Sequence, residues 1–189
     1  MNTESPFLFM VILGATPPGR LTEQHDVFFG IGDSLASLTA VMIASWPEAE
    51  GHIHIDSWRK VTAVGNYRVN VVRKSRTDVT DRQLFFLNLG GYKPGDMEEY
   101  HYKMLCVGAN MAEAVKAART TAFYRHTGFK GADSHIDDKY SLDIDDAFLV
   151  KDVLATGREQ YNIVTEWQED PLQADELHIG YLKLNKVAC

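Results

Sequence analysis

The sequence predicts an α+β fold formed by tandem duplication. Two copies of a strand-strand-helix-strand unit share one core about a pseudo-twofold axis, and a C-terminal β-hairpin follows. The main observation is a repeat, because residues 84–108 resemble residues 8–32, which lie 76 positions earlier, without a gap. Unrelated segments rarely agree at glycine, proline and histidine positions together, so the repeat indicates an internal duplication. The recurring positions are Leu8, Leu13, Gly14, Pro18, Gly19, Glu23, His25 and Gly32, matched by Leu84, Leu89, Gly90, Pro94, Gly95, Glu99, His101 and Gly108.

The first copy contains the signals of two strands and a helix. Residues 8–13 form an apolar run that Gly14 ends, and residues 25–31 alternate between two faces, so both are predicted strands, paired as a long-looped hairpin. A helix capped by Asp33 or Ser34 follows and ends at Pro47. Residues 60–64 and 67–72 complete the copy as β-like segments. The predicted apolar face of the helix consists of Leu35, Leu38, Met42 and Trp46.

The second copy shows its helix more clearly. Asn110 is the predicted cap, and Glu113 follows three residues later in a variant of the capping box. Beyond the helix the match between the copies resumes, but the distance between matching residues is five positions longer than before. It aligns His54-Ile55-Asp56 with His135-Ile136-Asp137. We attribute the shift to a longer glycine-containing loop. Residues 141–144 and 147–150 are predicted as its last strands. The predicted apolar face of this helix is Met111, Ala114, Val115, Ala118 and Ala122.

The predicted organisation is one compact domain. Copy one covers residues 7–73, copy two covers residues 83–150, and an extension covers residues 151–189. In the extension, residues 161–167 and 177–184 have strand character and are predicted to form a closing hairpin. A copy of about 70 residues has little core of its own, so we expect the two copies to bury their apolar faces together.

Composition and charge limit the classes of partner. The chain has 189 residues, 45% of them hydrophobic, and a formal net charge of −7. These values are typical of a soluble globular protein, and the acidic balance disfavours nucleic acid, whose affinity depends on Lys and Arg. The two cysteines, Cys106 and Cys189, form neither a disulfide framework nor a thiolate metal site. No apolar run is long enough to span a membrane, so we expect a cytoplasmic protein.

A family resemblance rests on motifs of the first copy, namely LGATPPGRLTEQHDVFFGIGDSL and SWPEAEGHIHIDSWRKV. They resemble the bacterial family catalogued as domain of unknown function 1543, whose members carry this unit in one or two copies. The resemblance implies a two-copy member over most of residues 7–150. The second copy departs from the pattern, since Trp46-Pro47-Glu48 becomes Ala122-Phe123-Tyr124 and Trp58 becomes Lys139. The resemblance implies no activity and no catalytic residues.

The first candidate site combines the repeated histidines. His25 and His101 each lie two residues after a glutamate, Glu23 and Glu99. If equivalent residues meet at a pseudo-twofold axis, two imidazoles and two carboxylates form a possible divalent metal site. The alternative is structural: each histidine bonds a local carbonyl or its own glutamate and positions the hairpin.

The second candidate site is the loop of copy two. It mixes cationic, imidazole and carboxylate groups beside glycines, as an anion-binding or acid/base site requires. His52, His54 and Asp56 occupy the matching loop of copy one. A solvated polar surface is the alternative interpretation. The loop residues in question are Tyr124, Arg125, His126, Lys130, His135, Asp137, Asp138 and Tyr140.

The functional prediction is therefore a non-catalytic module that binds a small ligand or a protein partner in a groove framed by the two copies. No cofactor is predicted, and a homodimer through the duplicated edge strands is possible. The alternative is a metal-assisted or acid/base hydrolase that uses clustered histidines. The two hypotheses differ in whether His25, His101, His126 and His135 converge in one pocket.

Overall fold

The computed structural model describes residues 6–75, 81–92, 95, 97–118 and 143–187. Among these residues, strands dominate and two short α-helices occur, which confirms the predicted α+β class. The helices are α1 (Thr39–Ser45) and α2 (Met111–Ala118). The strands are β1 (Phe7–Ala15), β2 (Gln24–Gly32), β3 (Ile53–Lys60), β4 (Ala63–Val64), β5 (Tyr67–Arg73), β6 (Gln83–Tyr92), β7 (Glu99–Gly108), β8 (Asp143–Leu149), β9 (Leu154–Thr156), β10 (Tyr161–Trp167) and β11 (His178–Lys183).

The chain divides into two compact units. The first unit comprises Met1–Val79 and Lys151–Cys189, and the second unit comprises Thr80–Val150. The second unit is thus inserted into the chain of the first, between β5 and β9. In the described part of the chain, no helix is long and apolar enough to cross a membrane.

The first unit contains two sheets. A five-stranded sheet has the order β11-β3-β1-β2-β9, and a three-stranded sheet has the order β10-β5-β4. The central strand β1 is antiparallel to β2 and to β3, as the predicted hairpin requires. One face of β1 packs in a core with α1, because alternate strand residues share a face. This core includes Phe9, Val11, Leu13, Phe28, Leu38, Met42 and Ile55.

α1 begins later than the sequence predicts, whereas α2 begins directly after its predicted cap. In the first unit, the hydroxyl oxygen of Ser34 accepts a hydrogen bond from the backbone N–H of Ser37 before a 3₁₀ turn (Ala36–Leu38). α1 itself begins at Thr39 without a side-chain cap and ends before Pro47. In the second unit, the side-chain oxygen of Asn110 accepts from the N–H of Glu113, and the carboxylate of Glu113 accepts from the N–H of Ala109. The first bond satisfies a donor that the first turn of α2 leaves free, and the second ties the residue before the cap to that turn.

The second unit pairs its strands in the order β7-β6-β8, and α2 packs on this sheet. Its register repeats that of the first unit. Gly14 of β1 is paired with His25 on one side and His54 on the other, whereas Gly90 of β6 is paired with His101 and Asp143. The pairing with the third strand also shifts at the same point in both units. The shift lies between Ile12 and Leu13 in β1 and between Asn88 and Leu89 in β6.

This register corrects the sequence alignment of the third strand. Asp143 has the pairing position of His54, and Ala147 has that of Trp58, so the offset is 89 positions (143 − 54). Sequence matching instead aligned His54 with His135 and Trp58 with Lys139, residues that lie outside the described ones. His54 and Asp56 lie on β3 itself, not in a loop as predicted.

The predicted C-terminal hairpin is wrong, although both of its strands exist. β10 pairs with β5 over its whole length, and β11 pairs with the edge of β3. Each strand thereby joins a different sheet of the first unit. The long connection, residues 168–177, permits this because it is not a tight turn that would force the two strands together.

A buried aspartate holds that connection in place. Oδ1 of Asp175 accepts hydrogen bonds from the N–H and hydroxyl of Thr62 and from the N–H of Ala63, at 2.7–3.1 Å. The Asp175 side chain is 1% exposed, and its other oxygen lies 3.7 Å from a guanidinium nitrogen of Arg59. This network fixes the C-terminal segment to the β3–β4 connection.

Candidate functional site

The candidate site lies over Gly14, on the face of β1 opposite the α1 core. Residues paired directly across neighbouring strands point to the same face, so His25 and His54 flank Gly14 on either side. The missing side chain creates the space between them. A Cβ on Gly14 would lie 2.4 Å from Nε2 of His54 and 2.8 Å from Oδ2 of Asp56.

Two carboxylates bridge the two imidazoles. Nε2 of His25 lies 3.0 Å from Oδ2 of Asp56 and 3.5 Å from Oε2 of Glu23. Nε2 of His54 lies 3.1 Å from Oδ1 of Asp56 and 3.0 Å from Oε1 of Glu23. Glu23, His25, His54 and Asp56 therefore form a closed ring, which we call the Gly14 cluster.

The bulge in β3 contributes Asp56 to this ring. Gly14 is paired with His54, and the register shift leaves Asp56 as the extra residue between Ile55 and Ser57. Asp56 follows His54 by two positions and therefore shares its face, and as the extra residue of the bulge it has no paired residue on β1. Glu23 and His25, two positions apart at the start of β2, share a face by the strand period.

Burial differs across the Gly14 cluster. The side chains of His54 and Asp56 are 11% and 30% exposed, whereas those of Glu23 and His25 are each 44% exposed. Nε2 of His54 and Oδ2 of Asp56 are buried, yet neither has a hydrogen-bond partner with acceptable alignment. Buried polar atoms without partners are rare in proteins, and a bound water or ion is one of the explanations for them.

Strand β11 covers the His54 side. The ring of Tyr181 lies 4.4 Å from the ring of His54, centroid to centroid. Further along the same strand, His178 stacks on Trp58 at 3.9 Å. These two aromatic contacts fix the edge strand β11 against β3 and limit the movement of the buried imidazole.

The donor set suits a divalent transition metal, because imidazole nitrogens and carboxylate oxygens are its usual protein ligands. In their present arrangement, the described residues include no group of three or more His, Cys, Asp or Glu side chains that could hold a metal ion. The carboxylates span the imidazoles instead of converging on one point. Ion binding therefore requires rotation of the carboxylates.

The predicted site residues have different outcomes. His25 belongs to the Gly14 cluster together with its Glu23. His101 lies at the matching pairing position of β7 and is exposed, and its predicted meeting with His25 stays a prediction. Four further predicted residues fall outside the described part of the chain: Arg125, His126, His135 and Asp137.

Sequence reasoning placed His54 and Asp56 in a loop and left them out of the predicted site. The signal was present, since the pattern His-x-Asp has the strand period of two, as does the Glu-x-His pattern of residues 23–25. What the pattern did not show is that both strands pair with β1 at Gly14.

Two other features lie away from the Gly14 cluster. A cavity of about 640 Å³ in the first unit is lined by residues such as Phe7, Val61, Arg68 and Leu172. In the second unit, burial raises the pKa of the Cys106 thiol to about 11. This thiol is therefore protonated at neutral pH and is a poor nucleophile.

Comparison with known proteins gives a fold and a family match. The chain is similar to the crystal structure of protein Il1583 from Idiomarina loihiensis, with a TM-score of 0.64 and 21% sequence identity over 95% of this chain and 98% of that one. At this identity the likeness shows the fold alone. No curated protein matches the sequence.

The family match coincides with the Gly14 cluster. Glu23, His25, His54 and Asp56 all lie within residues 20–71, and only Gly14 precedes that range. Residues 20–71 are similar to the family described as Domain of Unknown Function (DUF1543), the family that the sequence motifs resemble.

Proposed function

We propose that the chain is a binding module whose first unit holds a divalent transition-metal ion through Glu23, His25, His54 and Asp56. The observation that carries this proposal is the buried Nε2 of His54. It lies 3.0–3.1 Å from two carboxylate oxygens, but a hydrogen bond aligns with neither. An imidazole nitrogen beside two carboxylate oxygens is a donor set that a divalent transition metal uses in proteins.

The distances in the Gly14 cluster fit such an ion. Zinc lies about 2.0–2.1 Å from a histidine nitrogen, so the ligands of a tetrahedral site are separated by about 3.3 Å. The four nitrogen–oxygen distances of the ring are 3.0–3.5 Å. Rotation of the half-exposed Glu23 and of Asp56 places one oxygen of each carboxylate toward the space over Gly14. The sequence prediction names no cofactor, although it considers a divalent metal site that includes Glu23 and His25.

The proposal extends to the origin of the two units. The shared register and the bulge at the same point of the third strand support a tandem duplication in a two-copy bacterial member of the family. In the second unit, Asp143 takes the pairing position of His54. A unit with one imidazole fewer has a weaker preference for zinc, so we assign the zinc-type site to the first unit.

We propose a non-catalytic role, as the sequence predicted. The Gly14 cluster contains acids and bases, but no nucleophile with a base and an orienting group is among its four residues. The hydrolase alternative has no observation of its own in its favour. The wider prediction of a groove for a small ligand or a protein, and of a homodimer, remains part of the proposal.

Titration of chelator-treated protein with Zn²⁺, Mn²⁺ and Ni²⁺ by calorimetry tests the proposal. We expect one Zn²⁺ ion per chain with submicromolar affinity, and a loss of at least about tenfold in the variants His54→Ala and Asp56→Asn. His52→Ala is the matched control, since His52 is exposed and precedes β3. The proposal is wrong if no ion binds, or if His54→Ala and Asp56→Asn bind Zn²⁺ as the parent does.

A further inference from the structure

We infer that the ion in the Gly14 cluster binds a small oxyanion, such as a dicarboxylate, and that Tyr181 and Lys183 of β11 recognise its charge. This inference rests on the proposed function, because the anion would use the ion as its main ligand. It adds a ligand class and two residues that the metal site itself does not need.

The first support is the uneven exposure of the Gly14 cluster. Glu23 and His25 are 44% exposed, whereas His54 is 11% exposed. An ion held between them faces solvent on one side. Metal sites with an open position bind water or an exogenous ligand there, whereas structural sites are closed by protein.

The second support is the placement of β11 beside this open side. Lys183 is paired directly with His54, so its side chain projects from the face that carries the Gly14 cluster. Tyr181, two residues earlier, packs its ring 4.4 Å from that of His54, yet 64% of its surface is exposed. An exposed aromatic ring beside a metal site offers a stacking surface and a phenolic donor to a bound ligand.

The third support is a backbone irregularity that directs Tyr181. The pairing of β11 with β3 shifts between Ile179 and Leu182, and Gly180 has a φ of +136°. Only glycine adopts that conformation readily. Bulges of this kind re-aim side chains beside functional sites, and here the bulge turns the ring of Tyr181 onto His54.

The fourth support is the charge balance. A divalent cation cancels the charges of Glu23 and Asp56, so the loaded Gly14 cluster is neutral. Lys183 then adds a positive charge on the same face of the sheet, on a chain whose net charge is −7. A local positive site attracts an anion, and a chelating oxyanion satisfies the ion and the lysine together.

Calorimetric titration of the Zn²⁺-loaded protein with oxalate, and separately with inorganic phosphate, tests the inference. We expect oxalate to bind the loaded protein and not the ion-free protein. Lys183→Gln should weaken oxalate about tenfold, through loss of a charge-assisted hydrogen bond, without changing Zn²⁺ affinity. Tyr181→Phe should weaken oxalate less than Tyr181→Ala does. Phosphate binding in place of oxalate would support an oxyanion of that class.

Lys186→Gln is the matched control, because Lys186 is an exposed lysine just beyond β11. Equal oxalate affinity in the Lys183→Gln and Lys186→Gln variants would overturn the inference. So would a protein that binds Zn²⁺ but neither anion, and in that case the proposed metal function stands. A protein that binds no Zn²⁺ overturns both.

Discussion

Replacing Gly14 with alanine adds one methyl group to the space that the Gly14 cluster shares. Gly14 does not have a left-handed φ, so the effect of the substitution is steric. The new Cβ would lie 2.4 Å from Nε2 of His54 and 2.8 Å from Oδ2 of Asp56, well inside the contact distance of about 3.5–4.0 Å. His54 has little freedom to retreat because Tyr181 packs on its ring.

Overpacking of this kind costs about 1–3 kcal/mol in the free energy of unfolding. For a chain of this size, that corresponds to a fall in Tm of roughly 2–12 °C. Displacement of His54 and Asp56 should also weaken Zn²⁺ binding by about 10- to 100-fold, the range observed when the partners that orient metal ligands are removed. Thermal melting and calorimetric titration of the same preparation measure both effects.

Gly30→Ala is the matched control for Gly14→Ala. A Cβ on Gly30 would lie 2.7 Å from Cε1 of Phe28, so this variant is also overpacked, but away from the Gly14 cluster. We expect it to lose stability and to keep its Zn²⁺ affinity. The reasoning is refuted if Gly14→Ala and Gly30→Ala bind Zn²⁺ equally, or if Gly14→Ala leaves both stability and binding unchanged.

Further predictions concern stability and reactivity elsewhere in the chain. Asp175→Ala leaves two backbone N–H donors and one hydroxyl donor unpaired, so it should lower the free energy of unfolding by about 3 kcal/mol in urea. The control Glu176→Ala, at an exposed position, should lower it by less than about 0.5 kcal/mol. Asn110→Ala should lower the free energy of unfolding by about 1 kcal/mol, and Asn110→Asp should retain the cap. Hydrogen bonds from the Ala109 N–H and from Arg82 lower the pKa of Glu113. The contribution of Glu113 to stability is therefore present above about pH 4.3 and is lost as the pH falls. In Glu113→Gln, the free energy of unfolding should depend less on pH in the acid range. With a pKa of about 11, Cys106 is about one-thousandth thiolate at pH 8, so iodoacetamide should modify it far faster in urea than in buffer.

Each of these predictions has a contrary result. Equal costs for Asp175→Ala and Glu176→Ala would show that the buried network contributes nothing measurable. Equal stability of Asn110→Ala and the parent would remove the role of the cap. An unchanged acid unfolding curve in Glu113→Gln would show that its pKa is ordinary, and rapid modification of Cys106 in buffer would show that the thiol is accessible.

Local features of the fold were predictable from the sequence. The hairpin of β1 and β2 and the cap of α2 follow from alternation, glycine positions and the Asn110–Glu113 spacing, which act within a few residues of one another. The site depends instead on the pairing of Gly14 with His54, which are 40 positions apart. Apolar and polar periodicity predicts that a strand exists but not which edge it joins.

The same limit explains why the predicted C-terminal hairpin and the predicted alignment of the third strand of copy two are wrong. Residues 161–167 and 178–183 were correctly predicted as strands, but nothing local specifies pairing with β5 and β3. Residues with the same pairing position in the two units are 76 positions apart at Gly14 and Gly90 but 89 positions apart at His54 and Asp143. Sequence matching with the smaller shift selected His135, since it offers the same His-Ile-Asp letters that residues 54–56 carry.

The insertion of the second unit between β5 and β9 affects the order in which the protein folds during synthesis. The strands β6, β7 and β8 are continuous in the chain, so their sheet is complete once Val150 has left the ribosome. The earlier N-terminal strands must wait longer, because their neighbours β9, β10 and β11 are translated last. The nascent chain therefore carries an unfinished sheet edge, with the residues of the Gly14 cluster beside it, until translation is nearly over.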